Sequence, residues 1–242
     1  MEIRIKKKHI DKKYKKYIEE SNLSGILESG RAYYDNNYYD AAIEAWTLGT
    51  EKGDQRSANN LGILYYNKLD YENAKKYLSL AAEQNYREAY NNLGCLFFEL
   101  NMFADSQTYY QKAIDAGDIE AYSNLGLLHY KNNEFDKAEQ MYLKAIDLGS
   151  AKALFNLAVL YHNQKRYNEA ELNYLKAIKK IRQAQTFFLE LLRDGGDTVA
   201  ICLPIVFLAQ LYFGGLKQET KAIELLKANS WPKDKIELFL NF

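Results

Sequence analysis

The sequence predicts an all-α protein, a solenoid in which one helix–turn–helix unit is repeated along the chain. Three observations support this prediction. Similar residues recur every 32 positions, each copy contains two helical hydrophobic patterns, and helix breakers are rare, with 2 prolines and 13 glycines in 242 residues. Hydrophobic residues make up 48% of the chain, so a substantial core can form.

The repeat is defined by columns of equivalent residues. A column of small residues contains Gly30, Gly62, Gly94, Gly126 and Ala158. An aromatic column contains Tyr39, Tyr71, Phe103, Phe135 and Tyr167. A second small column contains Ala42, Ala74, Ser106, Ala138 and Ala170, and a column of large residues contains Trp46, Leu78, Tyr110, Tyr142 and Tyr174. Small residues let helices approach closely, and large ones fill the space between them.

Residues 1–20 precede the repeats and are expected to form a basic amphipathic helix. Its apolar stripe is formed by Ile10, Tyr14, Tyr17 and Ile18, which we expect to cap the first copy. Arg4 and seven lysines outweigh four acidic residues in this segment. The basic side chains either form a solvated helix face or contact nucleic acid or anionic lipid.

Five copies are expected over residues 21–184. In the fourth copy, the first helix presents Tyr122, Leu125, Gly126 and His129 on one face. The second helix presents Phe135, Ala138, Tyr142 and Ala145. A two-helix unit cannot bury its apolar face alone, so each copy is expected to pack against the next.

Residues that tolerate a left-handed backbone mark the ends of the second helices. This column contains Gly53, Asn85, Gly117 and Gly149. The fifth copy has Ile181 at this position, and isoleucine disfavours that conformation. The sequence therefore predicts that the last second helix continues to about Arg193.

Residues 185–242 are expected to form an irregular extension. A degenerate sixth copy is predicted at 198–229, and a capping helix is predicted after Ser230, running through Leu240. Terminal units of solenoids are atypical because one of their faces meets water.

The repeat resembles the tetratricopeptide repeat over about residues 23–184. The matching stretch in the fourth copy is Ala121-Tyr122-Ser123-Asn124-Leu125-Gly126, followed by Ala138, Tyr142, Lys144 and Ala145. The short turn that ends residues 112–118 is similar to that of the related Sel-one-like repeats. The resemblance implies a right-handed superhelical α-solenoid with terminal capping helices, whose first helices line a groove for peptides or partner helices.

The face opposite the core of the first helices supplies the candidate binding residues. Polar, aliphatic and aromatic side chains recur on it. The candidates are Asn59, Asn60, Ile63, Tyr66, Asn91, Asn92, Phe98, Asn124, Leu127, Tyr130, Asn156, Val159 and His162. Three interpretations stay open: the neighbouring copy covers this face, a partner binds there, or the chain's own terminal helix fills the groove.

One asparagine column runs through these candidates, formed by Asn60, Asn92, Asn124 and Asn156. Side-chain amides donate and accept hydrogen bonds, so such a column is suited to binding a peptide backbone. The alternative is that each asparagine bonds to its own scaffold. The carboxylate clamp of chaperone-tail binders is not evident, because its basic column contains Ile63, Cys95, Leu127 and Val159 here.

The sequence contains no signature of catalysis, and we expect no cofactor, no metal and no enzyme. Phosphate-loop, dinucleotide-binding and zinc-protease motifs do not occur. His129 and His162 occupy columns that otherwise carry aromatic residues, and Cys95 and Cys202 are too sparse for a disulfide framework. Few cysteines, and no apolar run long enough to cross a membrane, predict a cytoplasmic protein.

The predicted function is binding to another protein or peptide, as an adaptor or scaffold. An alternative in the same class is a specific inhibitor or immunity protein for one enzyme or toxin. A third hypothesis is an RNA- or DNA-associated factor that uses the lysines between Lys6 and Lys16. A net charge of zero makes nucleic acid the less favoured partner.

Overall fold

The computed structural model describes residues 2–192 and residue 221, and this part of the chain contains α-helices and no strands. The all-α prediction is therefore confirmed. The eleven helices are α1 (Glu2–Glu19), α2 (Leu23–Asp35), α3 (Tyr39–Glu51), α4 (Gln55–Asn67), α5 (Tyr71–Glu83), α6 (Arg87–Glu99), α7 (Phe103–Asp115), α8 (Ile119–Lys131), α9 (Phe135–Asp147), α10 (Ala151–Asn163) and α11 (Tyr167–Leu192). The predicted sixth copy and the predicted C-terminal capping helix lie outside the described residues.

The helices form consecutive antiparallel hairpins within two compact units, Met1–Asp118 and Ile119–Phe242. The first unit contains α1 and the hairpins α2–α3, α4–α5 and α6–α7. The second contains the hairpins α8–α9 and α10–α11. Within each unit, the second helix of one hairpin packs against the first helix of the next. The apolar face of each hairpin is thus buried by its neighbour, as a repeat protein requires.

The hairpins have an internal period of half a repeat. Each helix from α2 to α10 has 13 residues. One residue with positive φ lies in every turn from α1 to α11. These residues are Ser21, Asn37, Gly53, Leu69, Asn85, Asn101, Gly117, Asn133, Gly149 and Lys165, sixteen positions apart. The residue after each donates its amide to a carbonyl five residues earlier, as Asp70 does to Tyr65 at 2.9 Å.

The predicted left-handed column at Gly53, Asn85, Gly117 and Gly149 is confirmed, with φ between 59° and 102°. Residue 181 is the next position in the same series, and it lies inside α11, which continues to Leu192. The prediction of a continued last helix is therefore also confirmed up to that residue. Its expected end at Arg193 lies outside the described part of the chain.

Close approach between the two helices of a hairpin depends on the glycine column. A Cβ at Gly126 would lie 2.6 Å from the Tyr142 ring, and one at Gly94 would overlap the Tyr110 ring. Gly30 and Gly62 face Trp46 and Leu78 in the same way. Each large residue follows its glycine by sixteen positions, so half a repeat separates the two contacting surfaces.

The N-terminal helix α1 packs against the first hairpin. The rings of Tyr14 and Tyr33 meet edge to face with centroids 5.9 Å apart. The Tyr33 hydroxyl donates a 2.7 Å hydrogen bond to Asp11 Oδ1. Burial, followed by this hydrogen bond, raises the pKa of Tyr33 above its ordinary value. Tyr14 is 8% exposed, so the apolar stripe of α1 joins the core of the first hairpin.

Leu69 has an unfavourable conformation for its residue type. Its φ is 61°, and its side chain is 71% exposed. Left-handed backbone costs a non-glycine residue about 1–2 kcal/mol, and asparagine tolerates it better. We expect Leu69→Asn to raise the free energy of unfolding by about 0.5–1 kcal/mol in urea titrations.

The matched control is Leu148→Asn. Leu148 also follows a helix and is 51% exposed, but its own φ is −82°, outside the left-handed region. Leu148→Asn should give no comparable gain. Equal effects of the two substitutions would show that lost surface hydrophobicity, rather than backbone strain, explains the result.

Candidate functional site

The candidate binding residues lie on the first helices of the hairpins. The seven candidates from Asn59 to Phe98 lie on α4 and α6 of the first unit. The six candidates from Asn124 to His162 lie on α8 and α10 of the second unit. Asn59 and Asn124 are 5% and 6% exposed, and the other eleven candidates are half-buried. The sequence therefore located a face that is already partly covered by the fold.

The aromatic members of this face pack onto the turn within their own hairpin. Each contacts the first residue of the following second helix, which belongs to the aromatic column. The pairs are Tyr34–Tyr39, Tyr66–Tyr71, Phe98–Phe103, Tyr130–Phe135 and His162–Tyr167, with ring centroids 5.5–6.0 Å apart. These rings stabilise the hairpin, so alanine substitutions there would damage the fold as well as any binding surface.

The next first helix also contacts two tyrosines at equivalent positions of the first helices, Tyr34 and Tyr130. Asn163 Nδ2 donates a 2.6 Å hydrogen bond to the Tyr130 hydroxyl, and Asn67 donates one of 3.3 Å to Tyr34. Burial, followed by the nearby Glu99 and Cys95 on α6, raises the pKa of Tyr66 to about 12. Both hydrogen-bonded pairs are 33 residues apart, a spacing of one repeat plus one residue that columns of a 32-residue period do not reveal.

His162 is the one titratable imidazole among the candidates. Burial lowers its pKa below the ordinary value, so the ring is neutral at physiological pH. Its edge-to-face contact with Tyr167 is then that of an aromatic residue. His129 differs, because its Nδ1 lies 2.5 Å from Glu134 Oε2 at the end of α8, a polar contact that the sequence did not indicate.

One column of the face is formed by Ile63, Cys95, Leu127 and Val159, all half-buried. In the first unit, Ile63 lines a cavity of about 160 Å³ between α2 and α4. Asn60, Tyr34 and Trp46 line the same cavity, and Arg31 and Asp35 are exposed at its edge. An apolar side chain of a ligand has room to enter here.

The asparagine column divides into two kinds of residue. Asn92 Nδ2 donates a 2.8 Å hydrogen bond to Asn59 Oδ1, and Asn124 Oδ1 accepts one of 2.8 Å from Lys152 Nζ. By contrast, the buried Nδ2 atoms of Asn60 and Asn156 have no hydrogen-bond partner among the described residues. An unsatisfied buried donor costs about 1–3 kcal/mol. A carbonyl acceptor would remove that cost, and because both Nδ2 atoms are buried, a ligand carbonyl reaches them only if the side chain moves.

No group of three histidine, cysteine, aspartate or glutamate side chains in residues 2–192 is placed to hold a metal ion. No helix in the same part of the chain has the length and apolar character needed to cross a membrane.

Comparisons with known proteins agree with the architecture. The tetratricopeptide repeat family profile matches residues 91–151 and 123–186. No curated protein matches the sequence. The fold is similar to that of pilF from Pseudomonas aeruginosa, with a TM-score of 0.62 at 15% identity over 91% of this chain and 97% of that one.

Two other solved structures have the same fold. MamA gives a TM-score of 0.53 at 24% identity, over 65% of this chain and 96% of MamA. YrrB, a tetratricopeptide repeat protein described as having an unusual peptide-binding site, gives a TM-score of 0.51. Its sequence is 21% identical over 69% of this chain and 91% of YrrB. At these identities the similarity concerns the fold.

Proposed function

The chain belongs to the tetratricopeptide repeat superfamily, and on this premise we propose that it is a protein-interaction module that binds a peptide or a partner helix on the face of its first helices. Its role is binding rather than catalysis. Sparse cysteines also lead us to propose the cytoplasm as its location.

One observation carries the proposal. In each unit, a first helix carries an asparagine whose buried Nδ2 has no hydrogen-bond partner within the described part of the chain, three residues before a half-buried aliphatic side chain. The pairs are Asn60 with Ile63 on α4 and Asn156 with Val159 on α10. Residues three apart share one helix face, so each pair places a side-chain amide next to an apolar contact. A peptide carries the complementary groups, a backbone carbonyl followed by an apolar side chain.

The chemistry of the face favours protein over nucleic acid. All thirteen candidate side chains are uncharged at neutral pH, given the lowered pKa of His162. Nucleic acid binding depends on cationic side chains along the contact surface. The peptide-binding site described for YrrB, which shares this fold, agrees with the proposal.

The test uses peptides selected from a random phage-displayed library against the full chain, with affinity measured by fluorescence polarisation. We expect Ile63→Glu or Val159→Glu to weaken the selected peptides by about tenfold, because a buried carboxylate replaces an apolar contact. The matched controls are Leu143→Glu and Leu172→Glu on second helices, where the leucines are 43% and 52% exposed.

A sharper variant is Asn60→Leu. It removes an unpaired donor, so it should stabilise the free protein while weakening a peptide that bonds to this amide. Unchanged affinity in Ile63→Glu, Val159→Glu and Asn60→Leu alike would reject the proposed face. Equal losses in the second-helix controls would reject it as well.

A further inference from the structure

The N-terminal helix α1 has the register of the second helix of a repeat. Tyr14 and Ser21 precede Trp46 and Gly53 by 32 positions. Tyr14 is buried as Trp46 is, and Ser21 has a positive φ of 51° as Gly53 has one of 85°. Asn22 accepts a hydrogen bond from the Gly25 amide at the start of α2, which is the capping role of Asp54 in α4. No described residue forms the first helix that would pair with α1.

Helix α2 has small side chains at two positions where the later first helices have buried leucines. Later first helices carry leucines at two positions, and these leucines are at most 4% exposed. They are Leu61, Leu93, Leu125 and Leu157 at one position, and Leu64, Leu96, Leu128 and Leu160 at the other. The same positions in α2 are Ser29 and Ala32, whose smaller side chains leave the space beside α1 unfilled.

The result is a cavity of about 740 Å³ between α1 and α2. Ile10, Tyr17 and Ala32 supply its apolar wall, with His9 and Lys13 on α1 and Glu28 on α2. Two of its polar side chains are already bonded within the fold. Ser29 Oγ donates to Gly25 O at 2.8 Å, and Asn36 Nδ2 donates to Ala32 O at 2.7 Å. The volume is typical of a ligand-binding site.

We propose that this cavity is a second interaction site, which binds the apolar edge of an acidic amphipathic helix from another protein. The occupant is a helix because the site lies where the repeat places a first helix. Its flank next to α1 is acidic because His9 and Lys13 are exposed there, on a segment in which basic residues outnumber acidic ones by eight to four. Glu28 on the opposite wall fixes its orientation by repelling the same flank.

This site is independent of the proposed groove, because none of the thirteen groove candidates lines the cavity. The probe is a labelled amphipathic peptide of about 18 residues, long enough to form a helix, with a leucine stripe and glutamate flanks. A second peptide has the same stripe and lysine flanks. With the full chain, we expect the glutamate peptide to bind about tenfold more tightly than the lysine peptide.

Two variants and one control locate the binding. Ala32→Leu restores the residue of the later repeats and occupies part of the cavity's apolar wall, so it should weaken the glutamate peptide by about tenfold without lowering the Tm. Lys13→Glu should weaken the glutamate peptide and strengthen the lysine peptide. Lys12→Glu is the matched control, because Lys12 is an exposed lysine on the same helix that does not line the cavity.

Three outcomes would overturn the proposal. The first is that neither peptide binds the full chain, and the second is that both bind equally. The third is that Ala32→Leu leaves the affinity unchanged while Ile63→Glu abolishes it, which would place the peptide in the groove. Conversely, loss of binding in Ala32→Leu with retention in Ile63→Glu would support this site whatever the result for the groove.

Discussion

Tyr142→Ala is expected to lower the free energy of unfolding by about 3–5 kcal/mol, the largest effect of any substitution considered for this protein. Tyr142 is 1% exposed and lies over Gly126 between α9 and α8. Alanine would leave a ring-sized cavity, and the glycine opposite has no side chain that could move into it. Urea unfolding followed by circular dichroism at 222 nm measures the change.

Leu143→Ala is the control for this prediction. Leu143 is the next residue on α9, and it is 43% exposed. Its replacement should cost less than about 1 kcal/mol, since little buried surface is lost. Similar losses in the two variants would mean that the ring of Tyr142 does not fill a closed space in the hairpin.

Gly126→Val is expected to destabilise the same hairpin by about 3 kcal/mol through overpacking. A Cβ at Gly126 would lie 2.6 Å from Tyr142 Cε1, and the buried ring has little room to move. Because the glycine is helical, valine meets no backbone obstacle, and the cost comes from the steric overlap with Tyr142. Lys131→Val places the same side chain on the exposed end of α8 without steric overlap, and it should cost only a few tenths of a kcal/mol in helix propensity.

The double variant Gly126→Val with Tyr142→Ala tests this contact directly. The valine would occupy part of the space that the ring vacates, so the combined loss should be smaller than the sum of the two single losses by about 1–3 kcal/mol. Additive losses would show that the glycine column and the column of large residues do not form one packing unit.

Much of the local structure followed from the sequence. The hairpins are determined by hydrophobic patterns within about a dozen residues, and the ends of the second helices by residues such as Gly53 and Asn85 that accept a left-handed backbone. The left-handed residue in the turns within the hairpins was not predicted, because Leu69 and Lys165 occupy this column, and these two residue types do not indicate that conformation. There the surrounding hairpin imposes the conformation.

The candidate site was only partly predictable. Its residues share a face, as their spacing indicated, but their roles differ. Tyr130 accepts a hydrogen bond from the next first helix and Asn59 accepts one from Asn92, whereas the Nδ2 donors of Asn60 and Asn156 have no partner among residues 2–192. Equivalent positions of the repeat therefore differ in their hydrogen bonds, because the polar partner of each is supplied by a neighbouring copy whose sequence varies.

By itself, the sequence determined the repeat, the hairpins and the face that each first helix presents, because these depend on interactions between residues close together in the chain. Tertiary structure alone decided which of those side chains are satisfied within the fold, and that Ser29 and Ala32 leave a cavity beside α1. Those outcomes depend on contacts between copies about one repeat apart, where a single side chain determines whether a space is filled or left open.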